Sequence, residues 1–383
     1  MKINIAIFVL LIIPLSVFSQ KDKKSAYKFT ETIRIKDTPV KNQQRSGTCW
    51  SFAAISFLET ELLRTKDEEF DLSEMFFVHL AYQQKAKDYV QLHGKSNFSE
   101  GGQAHDVTNL IEKYGAVSED VYHGLEYGGK IHIHTEMEAV MKAMLNIYVS
   151  NPNNKLSTVW FDAIASVLNI YMGKIPEKFK YNNIDYSPLS FSKHLNIKKD
   201  DYIELTSLNL NPYYQQFILK IPDNWSKDLY YNLPINDFMQ TIDNALENGY
   251  SICWDGDVSE KCFSFKNGVA IVPEKSWNDL SEKERKDLFQ SIVAEKEITQ
   301  ESRQKTYDNY TTTDDHLMHI IGIAKDQNGN KYYITKNSWG KSSNLFNGYL
   351  YMSESYVKLK TIAIMIHKDA LPENIVNKLS IKQ

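Results

Sequence analysis

The sequence predicts an α+β fold in which helices come first along the chain and strands come last. Apolar residues recur at helical spacing over residues 49–64, 73–90, 104–114 and about 136–168. Beyond Tyr250, short β-rich runs follow one another at residues 251–254, 268–271, 315–323, 331–336, 348–352 and 362–366. Helices and strands that are kept apart in this way indicate two lobes, one helical and one β-rich.

The composition is that of one large globular unit. The chain has 383 residues, of which 42% are hydrophobic, and this is ample for a full core. The formal net charge is −4, so the sequence predicts no electrostatic surface for nucleic acid. After the N-terminal segment, no apolar stretch is long enough to span a bilayer. We therefore expect neither a nucleic-acid partner nor a membrane-spanning domain.

The N-terminus has the pattern of a secretory signal peptide. Lys2 is followed by a mostly apolar run up to Phe18, which is short for a membrane-spanning helix. Val17 and Ser19 are small enough for the −3 and −1 positions of a cleavage site. We expect residues 1–19 to be removed, which leaves a secreted or periplasmic protein that is not attached to the membrane.

One cysteine lies where a polar, glycine-containing loop meets apolar, helix-forming sequence. This is Cys49, in the run Asn-Gln-Gln-Arg-Ser-Gly-Thr-Cys-Trp-Ser-Phe that starts at Asn42. The positive end of a helix macrodipole at that point favours the thiolate, which is the nucleophilic form. Gln43 is within reach once Ser46 and Gly47 turn the chain, and its amide can donate to an oxyanion. The segment alone fits a buried structural cysteine equally well.

A second segment favours a catalytic interpretation. Residues 315–323 form a mostly apolar strand that contains His316, and residues 331–336 form another strand that leads into Asn337. The Asn-Gly turn within residues 326–330 is a strong hairpin signal. An antiparallel pair can bring His316 beside Asn337, whose side-chain oxygen then orients the imidazole as a base.

Cysteine, histidine and asparagine in this order form a complete set for acyl transfer through a thioester. Cys49 is the nucleophile, His316 the base and Asn337 its orienting group, and Gln43 donates to the oxyanion. His319 is an alternative base. Residues three apart on a strand point to opposite faces, so only one of the two histidines can face the cysteine.

These segments together resemble the papain-like cysteine peptidases, and within them the bleomycin hydrolase or aminopeptidase C branch. The run from Gln43 to Trp50, the pair Asp315-His316 and the run Asn-Ser-Trp-Gly from Asn337 match the family's three catalytic motifs. The likeness extends from about Thr38 to the C-terminus. A glycine follows the family's histidine by six residues, and this register selects His316.

The resemblance implies a helical lobe that carries the cysteine, facing a β-barrel-like lobe that carries the histidine and the asparagine. It implies the catalytic residues Cys49, His316, Asn337 and Gln43. It implies the substrate-binding residues Gly47, Gly101, Gly102 and Trp339. Trp339 would also shield the contact between the base and its orienting group. Peptides are the expected partners, no metal or organic cofactor is needed, and a homo-oligomer is expected because the family tends to form rings.

Departures from papain itself point to the branch. Ser46 and Ser99 occupy the positions of a papain disulfide. The separation between Cys49 and His316 far exceeds the ~130–150 residues of papain-type enzymes, so an insertion of roughly 120 residues is implied. We expect residues 20–383 to form one peptidase domain, in which a largely helical insertion covers about 130–235 and the β-rich lobe about 250–370.

The mode of action and the pairing of two cysteines stay open at this point. Aminopeptidase action is favoured, but the branch uses a C-terminal segment in the cleft, and the chain stops at Gln383, roughly ten residues short of that pattern. Endopeptidase action is therefore the runner-up, ahead of an acyltransferase or a non-catalytic binding protein. Cys253 and Cys262 either form a disulfide, which a secreted location permits, or remain separate thiols.

Overall fold

A computed structural model describes residues 26–381, and the expected signal peptide lies outside these residues. Within residues 26–381 no helix combines the length and the apolar character needed to cross a bilayer. The described chain forms a helical lobe, an insertion and a β-rich lobe, as the sequence predicts.

The helical lobe is built around a central helix, α1 (Cys49–Lys66), which α2 (Glu74–Gln91) and α3 (Ala104–Tyr114) flank. Nearly all of α1 is buried, because its other side packs on the large sheet. Ser73 caps α2 by accepting a hydrogen bond from the main-chain N–H of Phe76. These three helices confirm the predicted spans to within two residues. Because α1 is enclosed on all sides, its N-terminus is held in place.

The insertion is helical in its first half only. The single helical stretch expected over about 136–168 is in fact two helices, α4 (Thr135–Ser150) and α5 (Trp160–Met172). The chain leaves α4 at Asn151, which adopts a left-handed conformation with φ of 47° and ends the helix there. A hairpin and a short helix follow, namely β2 (Phe179–Tyr181), β3 (Ile184–Tyr186) and α6 (Pro188–Leu195).

The second half of the insertion contributes three strands to the large sheet, which the sequence reading missed. These strands are β4 (Tyr202–Thr206), β5 (Gln216–Ile218) and β6 (Leu229–Asn232). β4 pairs with the last strand of the protein, β13 (Thr361–His367), which would otherwise present an open edge. The insertion is therefore joined to the β-rich lobe through main-chain hydrogen bonds.

The β-rich lobe contains the predicted histidine hairpin at its centre. This hairpin consists of β10 (His316–Lys325) and β11 (Lys331–Lys336). The other elements of the lobe are β1 (Thr30–Arg34), α7 (Ile235–Glu247), β7 (Ile252–Gly256), β8 (Phe263–Ser264), β9 (Val269–Ala270), α8 (Glu282–Asp287), α9 (Gln300–Asp308), β12 (Tyr349–Ser353), α10 (Glu354–Lys360) and α11 (Glu373–Leu379). The strands follow the order β5-β6-β4-β13-β7-β10-β11-β12-β9-β8, and β1 also pairs with β10. The strands predicted beyond Tyr250 are confirmed.

β10 carries His316 and His319, and pairing with three other strands fixes its position. Opposite it lie β7, with His316 facing Gly256, and β11, with His319 facing Lys336. β1 crosses β10 at Gly322, where a Cβ atom would meet the main-chain oxygen of Ile33. Glycine at this position therefore permits the close approach of the two strands.

Candidate active site

The candidate nucleophile lies at the junction of the two lobes. Cys49 is the first residue of α1 and only 8% exposed. Its thiol accepts a hydrogen bond from the main-chain N–H of Leu317, the residue after His316. The indole N–H of Trp50 donates to the main-chain oxygen of Glu100 at 3.0 Å, which anchors the start of the helix to the neighbouring loop.

The imidazole of His316 is oriented by Asn337. The Nε2 atom of His316 lies 2.8 Å from Oδ1 of Asn337, and the same oxygen accepts the main-chain N–H of Ser338 at 2.7 Å. Two contacts to one atom of the amide identify that atom as the oxygen, because an amide nitrogen could not accept the N–H of Ser338. Nε2 must therefore carry the proton, which leaves Nδ1 of His316 unprotonated and able to act as a base.

An aromatic cover lies over this pair. The ring of Trp339 is 4.8 Å from that of His316, and Phe265 packs against Trp339 edge to face at 4.9 Å. Nδ2 of Asn337 is buried without a hydrogen-bond partner among residues 26–381. Trp339 thus packs against the ring of the candidate base.

Gln43 is held in place by the loop that follows Asn337. Its main-chain N–H donates to the oxygen of Ser338 at 2.8 Å, and its side-chain Oε1 accepts the Ser338 hydroxyl at 2.6 Å. Its Nε2 donates to the main-chain oxygen of Ser46 at 2.7 Å. The asparagine loop and the nucleophile loop therefore pack as one unit, which brings Gln43, Cys49, His316 and Asn337 together.

Burial disfavours the charged forms of both reacting groups. It raises the pKa of the Cys49 thiol to about 12, and the hydrogen bond from Leu317 opposes this only in part. It also lowers the pKa of His316 to about 4, against the effect of its hydrogen bond to Asn337. Desolvation of the Cys49 thiol therefore acts against the field of the helix N-terminus, which favours the thiolate.

His319 belongs to the packing between the lobes. Its Nδ1 lies 2.8 Å from the hydroxyl of Ser56, and its ring meets Phe57 edge to face at 6.2 Å. Both partners lie on α1, well beyond Cys49 along the helix. Burial keeps the pKa of His319 well below its ordinary value. His316, and not His319, is the histidine beside Asn337.

Two of the expected peptide-binding glycines are covered by acidic side chains. The main-chain N–H of Gly47 donates to the carboxylate of Glu100. The carboxylate of Asp223, from the insertion, lies where a Cβ atom on Gly101 would be. Gly102 packs against the indole of Trp50. The backbone at these positions is closely flanked, and the cleft beside it is acidic.

The sequence reading overlooked two acidic residues next to the candidate site. Asp314 lies two residues before His316, and Asp255 lies on β7 directly opposite Leu317. Asp255 is buried and Asp314 is partly buried, and desolvation raises the pKa of Asp314 to about 7. The pair Asp314-Asp315 before the histidine was the one visible signal, but the contact with Asp255 exists only once β7 and β10 have paired.

The open disulfide alternative is settled by the fold, since all three cysteines are free. Cys253 faces the core of the helical lobe, whereas Cys262 packs at the far side of the β-rich lobe with Tyr27 and Ile271. Over the described part of the chain, no three histidine, cysteine, aspartate or glutamate side chains are grouped so that they could hold a metal ion.

Fold, chain order and site geometry define the class as the papain-like cysteine peptidases. The chain belongs to the Peptidase C1-like family, whose family model matches residues 13–383. Both results confirm the resemblance that the sequence motifs indicated.

Relatives within the family match most of the length of the chain at low identity. Aminopeptidase G of Lactobacillus delbrueckii subsp. lactis is 24% identical over 89% of this chain and 83% of its own length. Bleomycin hydrolase of Gallus gallus is 22% identical over 95% of this chain and 88% of its own. The crystal structure of PepW from Lactobacillus rhamnosis HN001 superimposes with a TM-score of 0.72 at 20% identity, covering 93% of this chain and 85% of that one. This likeness confirms the α+β papain-like fold.

Proposed function

We propose that this protein is a cysteine aminopeptidase, which removes N-terminal residues from peptides through a thioester on Cys49. The observation that carries this proposal is the 2.8 Å contact between Nε2 of His316 and Oδ1 of Asn337, which leaves Nδ1 as a base beside the cysteine. Gln43 is fixed next to the same point by Ser46 and Ser338.

Acylation begins from a neutral thiol and a neutral imidazole. Nδ1 of His316 takes the thiol proton of Cys49 as the sulfur attacks the scissile carbonyl, so a C–S bond forms and the carbonyl oxygen becomes an oxyanion. The amide of Gln43 has a second Nε2 hydrogen, which we assign to that oxyanion together with the main-chain N–H of Cys49. One such donor is worth roughly 2.7–4 kcal/mol in a measured protease.

Collapse of this intermediate breaks the C–N bond. The imidazolium of His316 then gives its proton to the leaving amine, and the acyl group remains on sulfur as a thioester. Water attacks the thioester while His316 accepts a water proton, and collapse of this second intermediate breaks the C–S bond and releases the acyl group as a carboxylic acid. Return of the proton to sulfur restores the thiol of Cys49. No step in this cycle calls for a metal or an organic cofactor.

Two features support action at the N-terminus of peptides. The first is kinship, since relatives within the family carry the names aminopeptidase G and aminopeptidase C. The second is steric, since Asp223 from the insertion lies against Gly101 and Glu100 covers Gly47. A long peptide that continued past this point would have to displace these acidic side chains, whereas a single residue with a free amino group would not.

Hydrolysis of leucyl-aminomethylcoumarin and of acetyl-leucyl-aminomethylcoumarin tests the proposal. We expect the free amino substrate to be cleaved with the higher kcat/KM, and Cys49→Ala to abolish cleavage of both. Faster cleavage of internal bonds in amino-blocked peptides would identify an endopeptidase. Transfer of the acyl group to added amines in excess of hydrolysis would identify an acyltransferase.

We also propose export and self-association, which depend on sequence pattern and resemblance alone. Export predicts that protein isolated from its native cell envelope or medium begins at Gln20, which N-terminal mass spectrometry reads directly. A mature protein that begins at Met1 contradicts it. Self-association predicts a mass above that of one chain in multi-angle light scattering, and a monomeric mass at micromolar concentration contradicts it.

A further inference from the structure

A buried carboxylate beside the candidate nucleophile has no donor group to satisfy it. Asp255 is only 3% exposed, and neither of its oxygens accepts a hydrogen bond from a donor elsewhere in residues 26–381. It shares one face of β7 with Cys253, which packs into the core of the helical lobe, so its side chain faces the junction of the lobes. Burial raises the pKa of Asp255 well above its ordinary value, because ionising this group is costly unless a cation arrives from outside.

The polar neighbour that acts most strongly on Asp255 is another acid, Asp314. The carboxyl groups of Asp255 and Asp314 lie close enough for one to donate a hydrogen bond to the other, which requires that one of them be protonated. Asp314 also accepts the side-chain amide of Gln103 at 3.1 Å, while its second oxygen has no donor among the described residues. Two carboxyl groups that share one proton are ready to release it when a cation binds between them.

A third acid closes the same region from the insertion. Asp223 accepts the side-chain amide of Asn97 at 3.1 Å and lies against Gly101. The carboxyl groups of Asp223, Asp255 and Asp314 all lie close enough to Cys49 to act on its thiol. The three acids therefore surround one space beside the nucleophile, bounded by the turn that starts α3.

The positively charged side chains near Asp255 and Asp314 bind other groups. Lys85 donates to the main-chain oxygens of Ser99 and Gly101, and it is the cation that acts on Asp223. His105 is paired with Glu204 at 2.6 Å. Among residues 26–381, no positively charged side chain forms an ion pair with Asp255 or Asp314.

The chemistry of proton transfer indicates on which side of the cleft the acyl residue binds. His316 must face the leaving amine in order to protonate it, so the acyl residue extends away from that amine, and we assign it to the side of Gly101, an expected peptide-binding residue. That is the side on which the three acids lie. In an N-terminal residue bound there, the group next to the scissile carbonyl is the free α-ammonium group.

We propose that Asp255, Asp314 and Asp223 form a carboxylate site that binds the α-ammonium group of the residue being removed. The site acts by charge and by exclusion. It stabilises the ammonium with charge-assisted hydrogen bonds, and it leaves an amino-blocked or longer chain without a partner for the buried acids. This inference rests on the proposed function, because it specifies how that activity selects an N-terminus.

Isosteric variants test the site by turnover. Asp255→Asn and Asp314→Asn should lower the ratio of kcat/KM for leucyl- over acetyl-leucyl-aminomethylcoumarin by about 10- to 100-fold. Glu295→Gln is the matched control: it is another largely buried acid with a pKa raised to about 7, but it binds Ser353 and Val272 away from Cys49. A ratio that is unchanged in both aspartate variants, in an enzyme that is active, overturns the proposal.

A second pair of substrates tests whether the site binds an α-ammonium group or a basic side chain. A basic side chain two residues before the cleaved bond has the same chemistry as an α-ammonium group. If Asp255→Asn reduces cleavage of acetyl-Arg-Leu-aminomethylcoumarin relative to its acetyl-Met-Leu counterpart but leaves the free-amino preference intact, the site binds that side chain and the α-ammonium assignment is wrong. Loss of the free-amino preference without loss of the arginine preference supports the assignment.

A binding measurement keeps the test independent of turnover. Calorimetry with Cys49→Ala should show that leucinamide binds more tightly than 4-methylpentanamide, which is the same molecule without its amino group. Adding Asp255→Asn should remove that difference. Equal affinities for the two amides overturn the site even if the protein hydrolyses peptides. A difference that depends on Asp255 supports it even if the proposed hydrolysis is never observed.

Discussion

At the scale of single residues, Asn337 shows how one side chain determines the chemistry of another. Its Oδ1 accepts both the main-chain N–H of Ser338 and Nε2 of His316, at 2.7 and 2.8 Å. This places the imidazole proton on Nε2, so the basic nitrogen faces away from the asparagine. His319 lacks such a partner and instead contacts Ser56 on α1.

The two histidines should differ sharply when substituted. We expect His316→Gln to lower kcat by about 10²- to 10⁴-fold, the range of general acid–base catalysis, and His319→Gln to leave kcat within a few fold. Asn337→Ala should cost less than His316→Gln, up to about 100-fold, because it orients the base and transfers no proton. Steady-state kinetics with circular dichroism as the folding control measures this order, and a larger loss for His319→Gln would contradict it.

The thiol of Cys49 should depend on His316 for its reactivity. Because burial raises its pKa to about 12, Cys49 needs the neighbouring base to lose its proton near neutral pH. We expect iodoacetamide to label Cys49 at least tenfold more slowly in His316→Ala. Cys262, which is partly exposed, is the internal control and should not change. Peptide mass spectrometry follows both thiols at once, and equal slowing of the two would point to a general structural effect.

At the scale of elements, the sequence predicts the parts of the fold whose patterns are local. The helix from Cys49, the histidine strand and the asparagine strand each carry an apolar period of their own, and the structure confirms all three. β4, β5 and β6 were missed because they are short and their strand character comes from pairing at the edge of β13. The contact between Asp255 and Asp314 was missed for the same reason, since it depends on β7 lying beside β10.

One buried ion pair between elements should make stability depend on pH. His105 on α3 contacts Glu204 on β4 at 2.6 Å, and although burial opposes it, the charge of Glu204 and of the neighbouring Asp106 raises the pKa of His105 to about 9. A raised pKa of this kind contributes stability that is complete below the unfolded value of ~6.5 and lost as pH rises through about 9.

Urea unfolding between pH 6.5 and 9 measures this contribution. We expect the free energy of unfolding of the parent protein to fall over that range by on the order of 3 kcal/mol from His105 alone. Glu204→Gln should flatten the dependence, whereas Asp243→Asn, at the half-exposed pair with Lys331, should not. An equally steep profile in Glu204→Gln would show that other groups cause it.

At the scale of the whole molecule, α1 connects the lobes. Its residues take part in the core of the helical lobe, and that core extends to Cys253, Leu317 and Met365 on the sheet. Phe57 lies at the centre of this contact and meets the ring of Tyr202 at 5.5 Å. A shared core of this kind predicts that the lobes unfold together.

Substitution in that shared core tests the coupling. Phe57→Ala should lower the free energy of unfolding by about 3–5 kcal/mol, whereas Ile147→Ala, on the exposed face of α4, should change it by about 0.5 kcal/mol or less. We expect tryptophan fluorescence and circular dichroism to give one coincident transition in both variants. Two separate transitions would show that the lobes are independent.

The most direct test of the central claim is the mass spectrometry of one unblocked peptide during incubation with the enzyme. We expect a ladder of products that lose one residue at a time from the N-terminus, and no products with Cys49→Ala. An acetylated copy of the same peptide should stay largely intact. Products cut first at internal bonds, or an unchanged ladder with Cys49→Ala, would contradict the claim that Cys49 and the acids beside it form an aminopeptidase site.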